Sequence, residues 1–271
     1  MVNFLFWNLK KKHLEQFVAN LAKRHEVDVI MLIESELKPS VLLGLLNDSK
    51  ESQYHYSSKS LCSKVQIFTK FSDNFIRPLE EDDRLTIRKL ELPGLTGILL
   101  AVTHFPSKFN WDSEDQASYC PILVSSILKA ESTAGHNRTV LVGDLNMSPF
   151  EKGVIGAFGL HAVMSRIVAG KRKRIVQKTE SQFFYNPMWR LFGNSAYGPL
   201  GTYYRHSSKP NEYFWYIFDQ VLIRPDLLDR FDDEDLELLT SDGTTSFISS
   251  DGIPDANIAS DHLPILFKLM L

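Results

Sequence analysis

The chain has 271 residues, of which 44% are apolar, so it can bury a sizeable core and is neither a disordered nor a collagen-like protein. Its 30 Lys and Arg residues face 33 Asp and Glu residues, which gives a formal net charge of -3. This balance excludes adhesion to nucleic acid or membrane through bulk positive charge. Any polyanion must therefore be bound by a local patch.

The cysteine content and the first residues indicate in which cellular compartment the protein is expected. Cys62 and Cys120 are too few for a disulfide framework, and they favour a reducing compartment in which both are buried thiols. The opening residues, MVNFLFW, contain neither a basic region nor a cleavage site, and no apolar run is long enough to cross a bilayer. We therefore expect a cytoplasmic protein with no membrane contact and no obligate protein partner.

The first half of the chain alternates strand and helix patterns before it turns to consecutive strands. Apolar runs predict strands over residues 4–8 and 28–34, and residues 14–22 carry one apolar stripe at helical spacing. Pro39 opens a second helix. Residues 65–69, 85–92 and 97–105 then predict three strands without long helices between them.

The second half is less regular. Ser113 is expected to cap a helix that runs to about residue 131, residues 139–144 predict a buried strand, and residues 150–160 predict a helix. Residues 165–213 predict a functional loop region, since they combine a basic run, aromatic residues and Gly/Pro punctuation. The patterns further predict a strand over residues 214–223, an irregular acidic stretch over 229–259 and a final strand over 262–271.

Strands spread along the whole chain, mixed with helices and hairpins, predict one α/β domain over residues 1–271 in which helices flank two facing sheets. Several polar residues fall where the predicted strands end, which collects their side chains at one rim of a sheet. These residues are Asn8, Glu34, His104, Asp144, Asn146, Asp219, Asp261 and His262.

Two features of this set indicate which residues act together. Asp144 and Asn146 are two positions apart, so in extended backbone both side chains point to the same face and can share a ligand. Asp219 interrupts an apolar run, where an unpaired carboxylate would carry a steep desolvation penalty. We expect His262 to be its partner.

The order of these motifs is more specific than any one of them. Along the chain they read Trp7-Asn8, Ile33-Glu34, Thr103-His104, Gly143-Asp144-Leu145-Asn146, Phe218-Asp219-Gln220 and Ser260-Asp261-His262. This series resembles the endonuclease/exonuclease/phosphatase superfamily, the group with the DNase I-like fold, and it covers essentially the whole chain. The resemblance implies a four-layer α/β/β/α sandwich and metal-dependent hydrolysis of phosphate esters at one rim of the sheets.

The resemblance also implies a metal site. Glu34 corresponds to the main metal carboxylate, assisted by Asp261 and, directly or through water, by Asn8. A cluster of Asp, Glu and Asn without a Cys/His quartet independently suits a hard, oxygen-preferring ion such as Mg²⁺ or Mn²⁺ rather than structural zinc.

The resemblance also implies catalytic roles for the remaining strand-end residues. Asp144 resembles the residue that orients or deprotonates the attacking water, or else protonates the leaving oxygen, and Asn146 holds phosphate or nucleophile. His262, positioned by Asp219, is expected to have a raised pKa and to contact phosphate or transfer a proton. His104 resembles a histidine that donates a hydrogen bond to a nonbridging phosphate oxygen.

Two basic residues are predicted to bind the substrate phosphate. Arg84 resembles a family arginine that follows an acidic residue, and its guanidinium offers a fork of donors. Lys108 is the cation of the segment His104-Phe105-Pro106-Ser107-Lys108, which is similar to bacterial nuclease-type members.

The sequence departs from the family pattern in two places. Where the apurinic-endonuclease branch has Asp and Lys, this chain has Lys10 and Glu36, and we hypothesise that these two still pair near the metal. The exchange weakens an assignment to abasic-site repair. Residues 165–213 have no counterpart in the pattern and are predicted to be a substrate-selecting insertion.

The leading functional prediction is an Mg²⁺-dependent phosphodiesterase that acts on DNA or RNA as an endonuclease or exonuclease. The nuclease-like segment at His104 and the basic and aromatic residues of 165–213 favour it. Up to two of the aromatic residues Tyr185, Trp189, Tyr203, Tyr204 and Trp215 are expected to contact substrate. The alternatives are a phosphomonoesterase, a phosphoinositide or sphingolipid-headgroup phosphatase, and a catalytically inactive binding module.

Overall fold

A computed structural model describes residues 1–48, 53–57, 60–192 and 198–271 of the chain. Its strands are short and spread from one end of the chain to the other. In chain order they are β1 (Val2–Asn8), β2 (Val29–Ile33), β3 (His55–Tyr56), β4 (Val65–Thr69), β5 (Ile76–Glu81), β6 (Leu85–Leu90), β7 (Ile98–His104), β8 (Thr139–Asp144), β9 (Ala162–Val163), β10 (Lys173–Val176), β11 (Thr179–Gln182), β12 (Phe184–Tyr185), β13 (Tyr203–Tyr204), β14 (Trp215–Tyr216), β15 (Asp219–Ile223), β16 (Leu236–Leu238) and β17 (Ile265–Leu269).

The helices differ widely in length. They are α1 (Glu15–Arg24), α2 (Pro39–Leu46), α3 (Ser113–Ala134), α4 (Lys152–Ile155) and α5 (Arg166–Ala169), with 3-10 turns over Pro187–Leu191, Pro225–Arg230 and Asp233–Asp235. Within the described ranges, no helix is both long and apolar enough to cross a membrane. The cytoplasmic location stays a prediction.

Two large mixed sheets form the body of the molecule. One has the strand order β16-β17-β1-β2-β4-β3, and the other has the order β5-β6-β7-β8-β15-β12-β9. The parallel pairs β1–β2 and β7–β8 are each joined through a helix, α1 in the first case and α3 in the second. Two small hairpins, β10–β11 and β13–β14, stand outside these sheets.

Three apolar clusters define the layers. Alternate residues of β1 separate, so that Phe4 and Phe6 enter a central cluster together with Val140 and Val221 of the other sheet. Residues on the opposite face of the first sheet pack with α1 and α2, and those on the opposite face of the second sheet pack with α3. The predicted four-layer α/β/β/α sandwich is therefore confirmed, with the sheets facing each other and the helices outside.

The helix predictions were partly wrong in detail. The side chain of Asp112, rather than Ser113, caps α3, and it forms a capping box with Asp115. The predicted helix over 150–160 is reduced to the single turn α4 (Lys152–Ile155). It ends at Gly156, and the chain then folds back so closely that a Cβ on Gly159 would overlap the carbonyl group of Gly153.

The structure differs from the predicted strand pattern in four stretches. Residues 165–213 contain the β10–β11 hairpin and also β12, which pairs with β15 and β9 inside the second sheet. The predicted strand over 214–223 is divided between β14 and β15, which belong to different sheets. The acidic stretch 229–259 contributes β16, and β5 forms over residues with no strand pattern. Whether 165–213 selects substrate stays a prediction, as does the assignment of residues 1–271 to one domain.

A buried ion pair holds β15 at the end opposite its Asp219. Arg224, which follows β15, donates from Nε to Glu131 Oε1 of α3 at 2.8 Å, and its Nη2 lies 3.3 Å from Oε2. Both side chains are only 2% exposed. Arg224 also donates to the carbonyl oxygen of Phe183 at 3.1 Å, so one guanidinium joins the helix, β15 and the chain entering β12.

Replacing Glu131 with Ala is expected to lower the free energy of unfolding by about 3–5 kcal/mol, because it leaves the Arg224 charge buried without its partner. Urea unfolding measures this loss. Glu180→Ala is the matched control, since its pair with Lys173 is about half exposed, and it should change stability by no more than about 0.5 kcal/mol. Equal losses of stability in the two variants would contradict a stabilising role for the buried Arg224–Glu131 pair.

Candidate active site

Three polar side chains stand in one row at the rim of the second sheet. His104 at the end of β7 pairs in register with Asp144 at the end of β8, and Asp144 pairs with Asp219 at the start of β15. On the facing sheet, Asn8 ends β1 opposite Ile33, and Glu34 follows directly. The rims of both sheets therefore bring their polar residues to one place, as the strand-end pattern predicts.

A glycine allows the close approach of β7 and β8 at this rim. A Cβ built on Gly143 would overlap the carbonyl oxygen of Thr103, which is its register partner. No larger residue fits at this position without moving a strand. The residues that follow these two in sequence are His104 and Asp144, so this contact fixes their spacing.

One side of the site is a carboxylate-rich group made of Glu34, His104 and Asp144, whose ligand atoms all lie within 4.8 Å of one another. His104 Nε2 is 3.3 Å from Glu34 Oε1, and this contact is the main reason why the pKa of Glu34 falls to about 2. Asn8 Nδ2 donates to Asp144 Oδ2 at 3.0 Å and lies 3.4 Å from Glu34 Oε1. Glu34 is thus held ionised beside Asp144.

The backbone of Glu34 is strained. Its φ is 44°, in the left-handed region that residues other than glycine rarely adopt. Such conformations persist where the surrounding structure determines them, and they concentrate at functional sites.

The other side of the site is a buried group of Asp144, Asp219 and His262, again within 4.8 Å of one another. His262 Nδ1 lies 2.7 Å from Asp219 Oδ2. Burial alone would lower the pKa of His262, but the charge and hydrogen bond of Asp219 raise it to about 9. The imidazole is therefore protonated at neutral pH, and the pairing predicted from the apolar setting of Asp219 is present.

Asp144 belongs to both groups and has the most perturbed environment of the row. Its side chain is fully buried, and burial together with the charge of Asp219 raises the pKa of Asp144 to about 6, against the opposing effect of His262 and His104. It titrates close to neutral pH, so the same carboxyl group can accept or donate a proton there.

Asn146 is not in the extended conformation that would point its side chain to the same face as that of Asp144. Its φ of 51° places it in a turn, with its backbone N–H donating to Asp144 Oδ1 at 2.8 Å. Its side-chain amide donates to the carbonyl oxygen of Phe105 at 3.0 Å. The backbone N–H of Asn146 therefore orients Asp144. The hydrogen bond to Phe105 fixes the orientation of the Asn146 side chain.

The Lys10–Glu36 pair predicted from the exchanged charges is not formed. Lys10 instead makes an ion pair with Asp261, because the chain after β1 turns toward the loop that precedes His262. Burial would lower the pKa of Lys10, but the hydrogen bond that Lys10 donates to Asp261 and the charge of that carboxylate raise it. Asp261 is absent from both groups described above, and its Oδ1 is buried without a hydrogen-bond partner among the described residues.

The two predicted phosphate-binding cations have different positions. Arg84 lies beside the row, with Nη1 3.4 Å from the carbonyl oxygen of His104. Lys108 is engaged elsewhere, in an ion pair with Glu151 and a 3.2 Å hydrogen bond to Ser113. Only Arg84 therefore contacts a residue of the row directly.

Sequence reasoning did not identify three residues that support His262 and Asp219. Trp7 Nε1 donates to the carbonyl oxygen of His262 at 2.8 Å, and Thr202 Oγ1 accepts from the Asp219 backbone N–H at 3.1 Å. The ring of Tyr203 packs on that of His262 with centroids 4.8 Å apart. Trp7 precedes Asn8 and could have been suspected, but no local pattern marks Thr202 or ties Tyr203 to His262.

The donor set suits a hard divalent cation. Glu34 and Asp144 offer closely spaced carboxylate oxygens, and Asp261 and Asp219 each have one buried oxygen without a partner among the described residues. Such oxygen donors favour Mg²⁺ or Mn²⁺. Asn8 is less suited to direct ligation as it stands, since its amide nitrogen faces the carboxylates and its oxygen accepts the Lys10 N–H at 3.0 Å.

Replacing Gly143 with Ala is expected to destabilise the protein by about 1–3 kcal/mol, because the added methyl group must push β7 away from β8. Thermal or urea unfolding measures the loss. Gly44→Ala is the control, since it lies exposed in α2 with open space around it, and it should stabilise by roughly 0.5–1 kcal/mol. A Gly143→Ala protein as stable as wild type would show that the strands are not in such close contact.

Asp219→Asn is expected to lower the pKa of His262 from about 9 toward its ordinary value near 6.5, because the substitution removes the negative charge that stabilises the imidazolium. NMR titration of the His262 ring in both proteins measures the shift. His25 serves as an internal reference whose titration should not change, since its lowered pKa is due mainly to burial and to charges other than that of Asp219. An unchanged His262 titration would contradict the ion pair.

Solved structures with this fold cover essentially the whole chain. An AP endonuclease from Archaeoglobus fulgidus is similar at a TM-score of 0.59 and 15% identity, with 100% of each chain covered. D. rerio TDP2 complexed with single strand DNA product is similar at 0.57 and 16% identity, covering 100% of this chain and 99% of that one. The human Nocturnin catalytic domain with bound sulfate gives 0.56 and 14%, covering 99% and 94%.

These likenesses show a shared fold. No curated protein sequence gives a significant match to this chain. The model of the Endonuclease/Exonuclease/phosphatase family matches residues 2–262, which is nearly the full length. The chain therefore belongs to the Endonuclease/Exonuclease/phosphatase family of phosphoester hydrolases.

Proposed function

We propose that this protein is a divalent-metal-dependent phosphodiesterase of nuclease type, which hydrolyses phosphodiester bonds in DNA or RNA. The observation that carries the proposal is the position of Asp144 between Glu34 and His104 on one side and Asp219 and His262 on the other. One side offers carboxylates for a cation, and the other offers a protonated imidazole for a phosphate. Together these groups can bind a phosphate ester and stabilise the charge that develops during its hydrolysis.

Glu34 would hold the ion, because its carboxylate is ionised and close to Asp144. Asp261 would join it through its buried free oxygen, and Asn8 would keep Glu34 and Asp144 at their spacing by donating to both. When bound, a divalent cation polarises the phosphoryl oxygen and neutralises the charge that develops in the transition state. Mg²⁺ is the proposed ion, and Mn²⁺ is the alternative.

His262 would act on the phosphate as a cation. Asp219 fixes the ring through Nδ1, which leaves Nε2–H to donate to a nonbridging oxygen or to transfer a proton. His104 and Arg84 would add hydrogen-bond donors at the same rim, so that fixed donors meet the negative charge of the transition state. Lys108 is a less direct candidate, since Glu151 already pairs with it.

Asp144 would move the proton. As a base it would orient and deprotonate the attacking water, and as an acid it would protonate the leaving oxygen. A pKa of about 6 is compatible with either role at neutral pH. Asn146 would hold Asp144 through its backbone N–H. Its side-chain oxygen would accept a hydrogen bond from the nucleophilic water, or its second amide hydrogen would be donated to the phosphate.

The nuclease assignment is supported by relatives of the same fold. One is described as an AP endonuclease, and another is described in complex with a single-strand DNA product. Arg84 beside His104 and the aromatic residues near His262 suit a long phosphate-bearing substrate with bases. Phosphomonoesters and lipid headgroups serve as competing substrates in the test.

Asp144→Ala and His262→Ala are each expected to reduce kcat on plasmid, single-stranded DNA or RNA by about 10²–10⁴-fold, since each removes a proton-transfer or charge-stabilising group. Chelation with EDTA should abolish cleavage and added Mg²⁺ should restore it. His25→Ala is the control, because this histidine lies outside both catalytic groups and is close to Glu237 and Lys268 instead, and it should retain wild-type rates.

Two outcomes would overturn the proposal. Cleavage that persists in EDTA, or unchanged rates in both variants, would remove the mechanism. Release of phosphate from soluble monoesters or headgroup phosphates, with nucleic acids left intact, would replace the nuclease by a phosphatase of the same family.

A further inference from the structure

A continuous series of aromatic rings leads away from His262. Each ring contacts the next with centroids between 4.8 and 6.1 Å apart. In order, the series runs from His262 through Tyr203, Phe218, Tyr216 and Tyr213 to Phe150. It begins at a ring of the proposed catalytic centre and is otherwise independent of the catalytic groups.

The series passes from buried to exposed. Phe218 and Tyr216 are buried and act as its support, whereas Tyr213 is 66% exposed and Phe150 is 37% exposed. Trp189 extends it at the outer end, with its ring 6.4 Å from that of Phe150. Exposed aromatic rings that form one contiguous group, joined to a catalytic ring through packed rings, offer a surface on which a ligand can bind.

The hairpin that carries Tyr213 is fixed rather than loose. Glu212 accepts hydrogen bonds from the Tyr216 hydroxyl and from Arg205, and the Arg205 guanidinium lies over the Tyr216 ring at 5.4 Å. Phe214 adopts a φ of 63°, a strained value for a bulky residue. The first strand of the hairpin joins the site directly, since Tyr203 forms an isolated β-bridge with His262.

We infer that the exposed rings of Tyr213 and Phe150 stack with unpaired bases of the substrate, so that the enzyme acts on single-stranded nucleic acid or on single-stranded segments. This inference rests on the proposed function and deepens it by naming the substrate class. Every base has a π-face, so stacking on such rings tolerates any sequence. We therefore expect no strong base preference.

Duplex nucleic acid fits this surface poorly. Its bases are already stacked on each other inside the helix, and a base that reaches Tyr213 must first leave the stack and lose its pairing. The scissile phosphate of a duplex can still reach the catalytic centre, but without the gain from the rings. The ratio of single-strand to duplex cleavage is therefore the quantity that reports on the surface.

The experiment compares kcat/KM on a labelled single strand with kcat/KM on the same strand annealed to its complement. Wild type should prefer the single strand, and Tyr213→Ala and Phe150→Ala should each reduce kcat/KM for the single strand by about tenfold, mainly through KM. Their effect on the duplex should be smaller, so the ratio falls. Tyr213→Phe keeps the ring and should retain the wild-type ratio.

Phe158→Ala is the matched control, since Phe158 is also an exposed phenylalanine, 48% accessible, but its ring does not pack on any ring of the series. It should leave both rates unchanged. Equal cleavage of the two substrates by wild type, or Tyr213→Ala and Phe150→Ala proteins with the wild-type ratio, would overturn the inference. Thermal unfolding of each variant separates these results from a loss of folded protein.

Failure of the proposed function gives a different result. Hydrolysis of bis(p-nitrophenyl) phosphate by wild type with Mg²⁺ tests the phosphodiesterase chemistry without any nucleobase. If this diester is cleaved and no single-strand preference is found, only the inference fails. If no diester is cleaved, fluorescence anisotropy of the labelled single strand still tests the rings, and unchanged binding by Tyr213→Ala would overturn the inference separately.

Discussion

The contact between Asp219 and His262 determines how the rest of the site is organised. Asp219 begins β15 in one sheet, and His262 precedes β17 in the other, so their 2.7 Å contact joins the two halves of the sandwich at the rim. Both side chains are buried, and a buried carboxylate is tolerated only with a partner of opposite charge or a hydrogen-bond donor. The pair therefore holds the facing rims of the two sheets together at the site.

Asp144 is the residue most affected by this arrangement. It lies in register between His104 and Asp219. The negative charge of Asp219 raises the pKa of Asp144, and the positive charge of His262 lowers it. Burial adds to the cost of its ionisation. The site therefore holds three groups in different protonation states within a few ångströms. Asp144 titrates near neutral pH, His262 is protonated and Glu34 is ionised. Environment alone separates the roles of the two carboxylates.

The sequence was sufficient to predict the layered fold and the convergence of the strand-end residues. Apolar runs define strands whose ends can be read directly, and Asp219 required a partner because its neighbours are apolar. Contacts and turns that depend on how distant parts of the chain meet could not be predicted in this way. The Lys10–Asp261 pair joins residues far apart in sequence, and the turn at Asn146 is a left-handed conformation that no periodicity indicates. The division of 214–223 between two sheets likewise follows from the close packing of Gly201 against Tyr216 rather than from local propensity.

We propose that side chains from both sheets form one cation-binding phosphate site. Anomalous scattering from a crystal soaked in Mn²⁺, measured at the manganese absorption edge, tests this proposal, because it locates the ion without reference to activity. We expect a strong anomalous peak at metal–ligand distance from a Glu34 carboxylate oxygen. A peak elsewhere on the surface, or none at Glu34 under conditions that saturate activity, would contradict it.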